Sequence, residues 1–179
     1  MSEIWGIYIK SMLEKKISLS ITEIGSNIND ILEQKVKDLI EGKCISEGFV
    51  RPNSVRFISN SAGTIQSDNI EFVVLFECMV TYPVEGQKID CKSKTITKAG
   101  IHAEVIDKDI TPVHVFIAKE HNNDFYYNSI KEDVNIRIKV IGVRFELNDP
   151  YICVIGKLLD PSKEPQPQEN IIKIKKQKK

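Results

Sequence analysis

Residues 133–160, DVNIRIKVIGVRFELNDPYICVIGKLLD, constrain the fold more than any other stretch of the chain. They read as a long strand, a turn at Asn148-Asp149-Pro150 and a return strand. Upstream, KAGIHAEVI and PVHVFIA predict two shorter strands with breaks at Gly and Pro. With a further run before them, the spacing predicts strands over 87–94, 100–106, 113–117, 134–145 and 151–158. KEHNNDFYYNSIKED, between the third and fourth, reads as a helical turn and loop. Five short strands in this order suit a small Greek-key barrel of the OB type, an architecture that commonly binds single-stranded nucleic acid.

The first half predicts a different arrangement. Strands are expected over 4–10 and 15–21, the second because Ile17, Leu19 and Ile21 alternate with Lys16, Ser18 and Ser20. A helix follows, with Ser26 as N-cap, Gly42 as C-terminal cap, and Ile28, Ile31, Leu32, Val36, Leu39 and Ile40 as its apolar stripe. KCISEGFV and SVRFIS are joined by a turn at Arg51-Pro52-Asn53, and Ser61-Ala62-Gly63 makes a second break. NIEFVVLFECMVTYP is apolar on both faces at Phe72, Val73, Val74, Leu75 and Phe76, so it is expected between two subdomains. Pro83 and Gly86 mark a boundary. The expected class is α+β. Residues 1–82 form a small domain with one main helix packed on an antiparallel sheet, 83–160 a five-stranded OB barrel, and 161–179 a disordered Lys-rich tail.

Charge narrows the functional classes. The whole chain balances 25 basic against 25 acidic side chains, but residues 161–179 hold six Lys and two Glu, leaving 19 basic and 23 acidic in residues 1–160. A mildly acidic body is not a charge-driven nucleic-acid binder, so any RNA contact it makes is local, weak or supported by a partner. Cys44, Cys78, Cys91 and Cys153 form no CxxC pair and have no His at ligand spacing. They are read as reduced packing cysteines, with no metal or cofactor expected. There is no nucleophile elbow, no phosphate-cradling Gly loop and no recognisable carboxylate pair, so no catalytic residues are assigned. No apolar run approaches a membrane span and the N-terminus is not a signal peptide, so an intracellular protein is expected.

Strand alternation assigns faces. Ile101, Ala103, Val105, Val113, Val115, Ile117, Val134, Ile136, Ile138 and Val140 should point inward. His102, Glu104, His114, Phe116, Arg137 and Lys139 should point outward, with Arg144 and Tyr151 nearby. The candidate RNA-binding set is therefore His102, His114, Phe116, Arg137, Lys139, Arg144 and Tyr151. Rings offer faces for unpaired bases and cations hold phosphates. The alternative is a loop-covered Phe on an ordinary solvated surface.

The order of these segments resembles the larger stalk subunit of archaeal and eukaryotic multisubunit DNA-directed RNA polymerases, the family of the archaeal E-prime subunit and the seventh subunit of RNA polymerase II. The resemblance covers roughly residues 15–160. ILEQKVKDLIEGKCISEGFV is similar to the family's helix, EGxC and Gly-aromatic pair, here Glu41, Gly42, Cys44, Gly48 and Phe49. FECMVTYPVEGQKID resembles its linking strand, AGIHAEVI and VHVFIA two barrel strands, and RIKVIGVRFE with YICVIGKL the terminal pair. Ile101 and His102 replace the family's paired aromatics. The Ile-, Lys- and Asn-rich composition and the phrase EGKCISEGFVRPNSV look most like versions from large nucleocytoplasmic DNA viruses.

The resemblance implies a non-catalytic subunit supporting initiation. Its first domain would dock at the clamp base of the polymerase core, its barrel would lie near nascent single-stranded RNA, and a smaller stalk subunit would normally bind along both. By that analogy Glu41, Gly42, Lys43, Cys44, Arg51, Pro52 and Asn53 are candidate docking residues. The site of action would be the nucleus, or host cytoplasm and virion for a viral version. A free-standing OB-fold RNA-binding protein of translation or RNA decay, and a structural or virion interaction protein, are the alternative readings.

Overall fold

The computed structural model describes residues 7–25, 27–122 and 125–160. The first part builds one antiparallel sheet from β1 (Ile9–Ser20), β2 (Cys44–Ile45), β3 (Gly48–Val50), β4 (Arg56–Asn60), β5 (Thr64–Gln66) and β6 (Asn69–Thr81). The order is β1-β6-β3-β2, and β4 and β5 also pair with β6. Thus β1, β3, β4 and β5 all pair with β6, and β2 joins through β3. Helix α1 (Ile28–Ile40) packs on one face, where Leu32, Val36 and Ile40 meet Ile17, Leu19, Phe72, Val74, Phe76 and Val80. Each such large apolar side chain contributes about 1.5–3 kcal/mol when fully buried.

Several expectations change here. The two N-terminal strands are one, β1, paired with β6 from Ile9↔Val80 to Ser20↔Asn69. The long ladder carries the chain through Leu13, Glu14 and Lys15 despite their weak local pattern. Ile21 falls in a 3₁₀ turn, Ile21–Glu23, and is exposed. Leu39, in the last turn of α1, is also exposed. In β6, Phe72, Val74 and Phe76 are buried while Val73 and Leu75 are only half-buried. The strand alternates because α1 covers one face of the sheet. Along the other run the ion pairs Lys10–Glu77 at 2.8 Å and Lys16–Glu71 at 3.1 Å. Ser26, residues 4–6 and the tail 161–179 lie outside the described residues.

The second part is a closed barrel of β7 (Lys88–Ile96), β8 (Gly100–Asp107), β9 (Ile110–Ala118), β10 (Asn135–Arg144) and β11 (Ile152–Leu158). Its circular order is β7-β8-β9-β11-β10, antiparallel except for the parallel pair β9–β11. That is the OB strand order. A short helix, α2 (Phe125–Ser129), lies between β9 and β10. Asn122, just before it, accepts from the Leu158 N–H at 2.9 Å and donates to the Ala118 carbonyl at 2.9 Å. The inward residues are buried as their alternation requires, with one exception. Val134 is exposed because it precedes β10, in a loop held by buried Ser93, whose Oγ donates to the Lys131 carbonyl at 2.7 Å.

Tyr8, Cys44 and Phe49 from the first part pack into the same apolar cluster as the barrel interior. Two backbone bonds reinforce this seam: Cys44 N–H donates to the Asp149 carbonyl and Asn148 N–H to the Cys44 carbonyl, both at 2.8 Å. Arg51 reaches across to Asp107 at the end of β8, with Nε 2.7 Å from Oδ2 and a terminal nitrogen donating to Oδ1 at 3.0 Å. The guanidinium also lies over the Tyr8 ring, 5.2 Å from its centroid. Burial, and then the Asp107 carboxylate, push the Tyr8 phenol well above its ordinary range.

Candidate nucleic-acid interface

The outward side chains of β8, β9 and β11 form a continuous grid. In β8–β9, His102 stands opposite Phe116 and Glu104 opposite His114. The parallel β9–β11 ladder then puts Cys153 beside His114 and Ile155 beside Phe116. Together with Gly142, Val143, Arg144 and Tyr151 these residues line a cleft of about 440 Å³.

Two ring pairs give the cleft its character. His102 and Phe116 have centroids 4.9 Å apart and tilted planes, and His114 and Tyr151 approach to 4.1 Å. Phe116 lies over Gly100, where an added Cβ would come within 2.8 Å of the ring and 2.5 Å of the Ile117 carbonyl oxygen. Only a missing side chain lets that ring lie against the β8 backbone. The rim is polar, with Arg144 next to Glu146 at 3.4 Å and Glu104 facing Lys94 at 3.8 Å. The cleft can therefore accept flat apolar groups on its walls and present polar groups at its edge.

Five of the seven candidate RNA-contacting residues, His102, His114, Phe116, Arg144 and Tyr151, thus line one cleft. Arg137 and Lys139 do not. They lie on the β7–β10 side, where Arg137 forms a two-point pair with Asp90 at 2.6 and 2.9 Å. Lys139 is opposite both Lys88 and Lys157, a cationic row that begins two residues beyond Ile155 on β11.

Glu104, Cys153, Ile155 and Gly100 were not among the candidates. Glu104 was legible as an outward residue, but nothing local marks a carboxylate for function. Cys153 and Ile155 join only through the parallel pairing of strands distant in sequence. Cys153 is also exposed, whereas Cys44, Cys78 and Cys91 are buried and free. Among the described residues no group of three His, Cys, Asp or Glu side chains is placed to hold a metal, and no helix is long and apolar enough to cross a membrane.

The candidate docking residues lie along the seam. Glu41 accepts from the Ser54 and Val55 N–H groups at 3.0 and 2.9 Å, fixing the turn that contains Pro52 and Asn53. Cys44 and Arg51 are engaged with the barrel. Gly42 adopts φ +70° after α1, as a C-terminal cap requires. Lys43 donates to the Asp38 carbonyl at 3.1 Å, and Asn53 is exposed.

No family model matches this chain. It is similar along most of its length to curated proteins: a protein of Acanthamoeba polyphaga mimivirus, provisionally named a DNA-directed RNA polymerase subunit, is 24% identical over 87% of this chain and 83% of its own. Subunit 7 of DNA-directed RNA polymerase II from Glycine max is 26% identical over 86% of this chain and 93% of its own. Both relatives are named as RNA polymerase subunits. The Arabidopsis thaliana subunit 7 of RNA polymerase II is a third, 24% identical over 86% of this chain and 93% of its own. The resemblance read from segment order is borne out by these polymerase-subunit relatives, whose matches are long enough to take in both the sheet and the barrel.

Proposed function

We propose that this chain is a non-catalytic stalk subunit of a multisubunit DNA-directed RNA polymerase, docked by residues 1–82 at the clamp base and touching emerging RNA through its barrel. The observation that supports this best is the pair of ring contacts in one cleft of an OB barrel, within a chain whose relatives along most of its length are polymerase subunits. Stacking on such rings is worth about 1–3 kcal/mol per base. The body is mildly acidic, so that alone gives weak binding. Docking removes the difficulty, because a tethered barrel meets the transcript at high effective concentration. Arg144 at the rim and the lysine row beyond Ile155 would then meet phosphates.

Docking would use the turn around Pro52 and Asn53 and the neighbouring Gly42 and Lys43, shaped from within by Glu41, Cys44 and Arg51. A smaller stalk subunit is a further expected partner. Supporting initiation belongs to the same reading, as does action at the site of transcription.

The test is co-purification of tagged full-length protein followed by RNA crosslinking in transcribing complexes. Recovery with a large polymerase and crosslinks at His102 or Phe116 are expected. Recovery only with ribosomes or decay factors would make it a free-standing RNA-binding protein instead. Phe116→Ala should reduce RNA crosslinking several-fold while leaving assembly intact. Release of the variant from the polymerase would show that the cleft is a protein-docking face.

A further inference from the structure

Among the described residues lining the cleft, one is a carboxylate. Glu104 sits on β8 between the outward positions of His102 and Ile106, and directly opposite His114. Its row therefore adjoins the row of His102 and Phe116 on one side, and on the other its partner His114 stacks with Tyr151. Its ion-pair partner Lys94 is 3.8 Å away, beyond hydrogen-bond distance, and the Glu104 side chain is 27% exposed, so the carboxylate is open to a ligand.

A carboxylate only accepts hydrogen bonds, and it repels phosphate. The backbone of a bound strand must therefore stay outside this row. What a carboxylate between two ring platforms can hold is the donor edge of an aromatic base. The bases differ sharply on that edge. Guanine presents two adjacent donors, N1–H and the 2-amino group, which match the two oxygens of a carboxylate. Adenine and cytosine present one amino donor beside an acceptor ring nitrogen. Uracil presents one N–H between two carbonyl oxygens, which would face Glu104 as acceptor against acceptor. Unpaired bases are read on this Watson–Crick edge when they leave the helix and stack on side chains, and a mismatched acceptor discriminates by repulsion as well as by lost bonding.

We infer that Glu104 makes the cleft selective for an unpaired guanine over uracil. This rests on the reading that the cleft receives RNA bases. Guanine stacks on one ring pair and donates N1–H and N2–H to the Glu104 carboxylate, while its phosphates pass on the far side of the cleft, by Arg144 and away from Glu104. A two-point charge-assisted contact in a partly desolvated cleft gives about tenfold discrimination, the effect of roughly 1.4 kcal/mol.

The experiment measures fluorescence anisotropy of labelled RNA octamers with the full chain. The octamers are oligouridine, the same with a central guanine pair, and the same with a central inosine pair, which lacks the 2-amino donor. The guanine octamer is expected to bind about tenfold more tightly than oligouridine, with inosine between them. Glu104→Gln, which keeps the shape and removes the charge, should collapse that ratio to within about twofold. Equal binding of guanine and uridine octamers by the unaltered chain overturns the inference. If Phe116→Ala weakens both octamers, the RNA reading nevertheless stands. A ratio unchanged in Glu104→Gln also overturns it, since selection would then reside elsewhere. Failure of every octamer to bind even at millimolar protein overturns both the inference and the RNA reading, because stacking on the rings would by itself give weak binding at that concentration.

Discussion

At the residue scale, Arg51 and Asp107 show how one pair decides the relation between two parts of the chain. Their side chains are 24% and 10% exposed, so the pair is only partly wet. Removing one partner strands a charge at the seam, which costs far more than a surface ion pair is worth. Asp107→Asn should destabilise the protein by about 2–3 kcal/mol, read as a lowered urea midpoint. An unchanged midpoint would mean that the apolar seam alone holds the parts together. The four cysteines separate just as clearly. Burial pushes the thiols of Cys44 and Cys78 up to about 11 and that of Cys91 up to about 12, keeping them in the unreactive thiol form. Native protein treated with iodoacetamide at neutral pH should carry its first label on Cys153, as peptide mass spectrometry would reveal. Early labelling of Cys91 would mean that the barrel opens readily.

At the element scale, the sheet depends on a glycine where β3 meets β6. Gly48 adopts φ +122°, and a Cβ there would lie 2.3 Å from the Thr81 carbonyl oxygen. Both the backbone conformation and the contact exclude a side chain. Gly48→Ala should cost about 3 kcal/mol or more, measured by chemical denaturation, and should shift the β3–β6 pairing that carries Phe49 to the barrel seam. A loss below about 1 kcal/mol would show that β3 can slide without harm. Helix α1, the turn at Arg51-Pro52-Asn53 and the five barrel strands could be anticipated, because each is written in local periodicity or turn chemistry. The continuity of β1 and the one-sided burial of β6 could not. Both follow from which strands pair and which face the helix covers.

At the scale of the whole molecule, titration should bracket a plateau of stability. Arg137 holds the Asp90 carboxyl below its ordinary range, and Lys37 does the same for Glu33. A depressed folded pKa adds stability above the unfolded value near pH 4, and that stability is lost as pH falls through the folded value. The buried thiols and Tyr8 act at the other end. Their raised folded values add stability that is complete below about pH 8.5, where unfolded thiols begin to ionise, and is lost as pH rises. Urea midpoints should therefore be nearly flat from about pH 5 to 8 and fall on both sides. A midpoint that rose steadily from pH 8 to 10 would contradict the burial of these groups.

Local chemistry by itself determined the parts list: five barrel strands with their inward and outward faces, one amphipathic helix, and the ring-bearing positions His102, His114 and Phe116. Period-two and helical spacing are properties of neighbouring residues, so they survive in a one-dimensional string. Only the tertiary structure decided which outward residues share a surface. Closing the barrel through the parallel β9–β11 ladder brought Tyr151, Cys153 and Ile155 to the rings, and the antiparallel β8–β9 pairing set Glu104 opposite His114 in the same cleft. It also left Arg137 and Lys139 on another side. The seam of Tyr8, Cys44, Phe49 and Arg51 against the barrel was likewise invisible, because contacts between distant segments depend on how strands pair rather than on any local pattern.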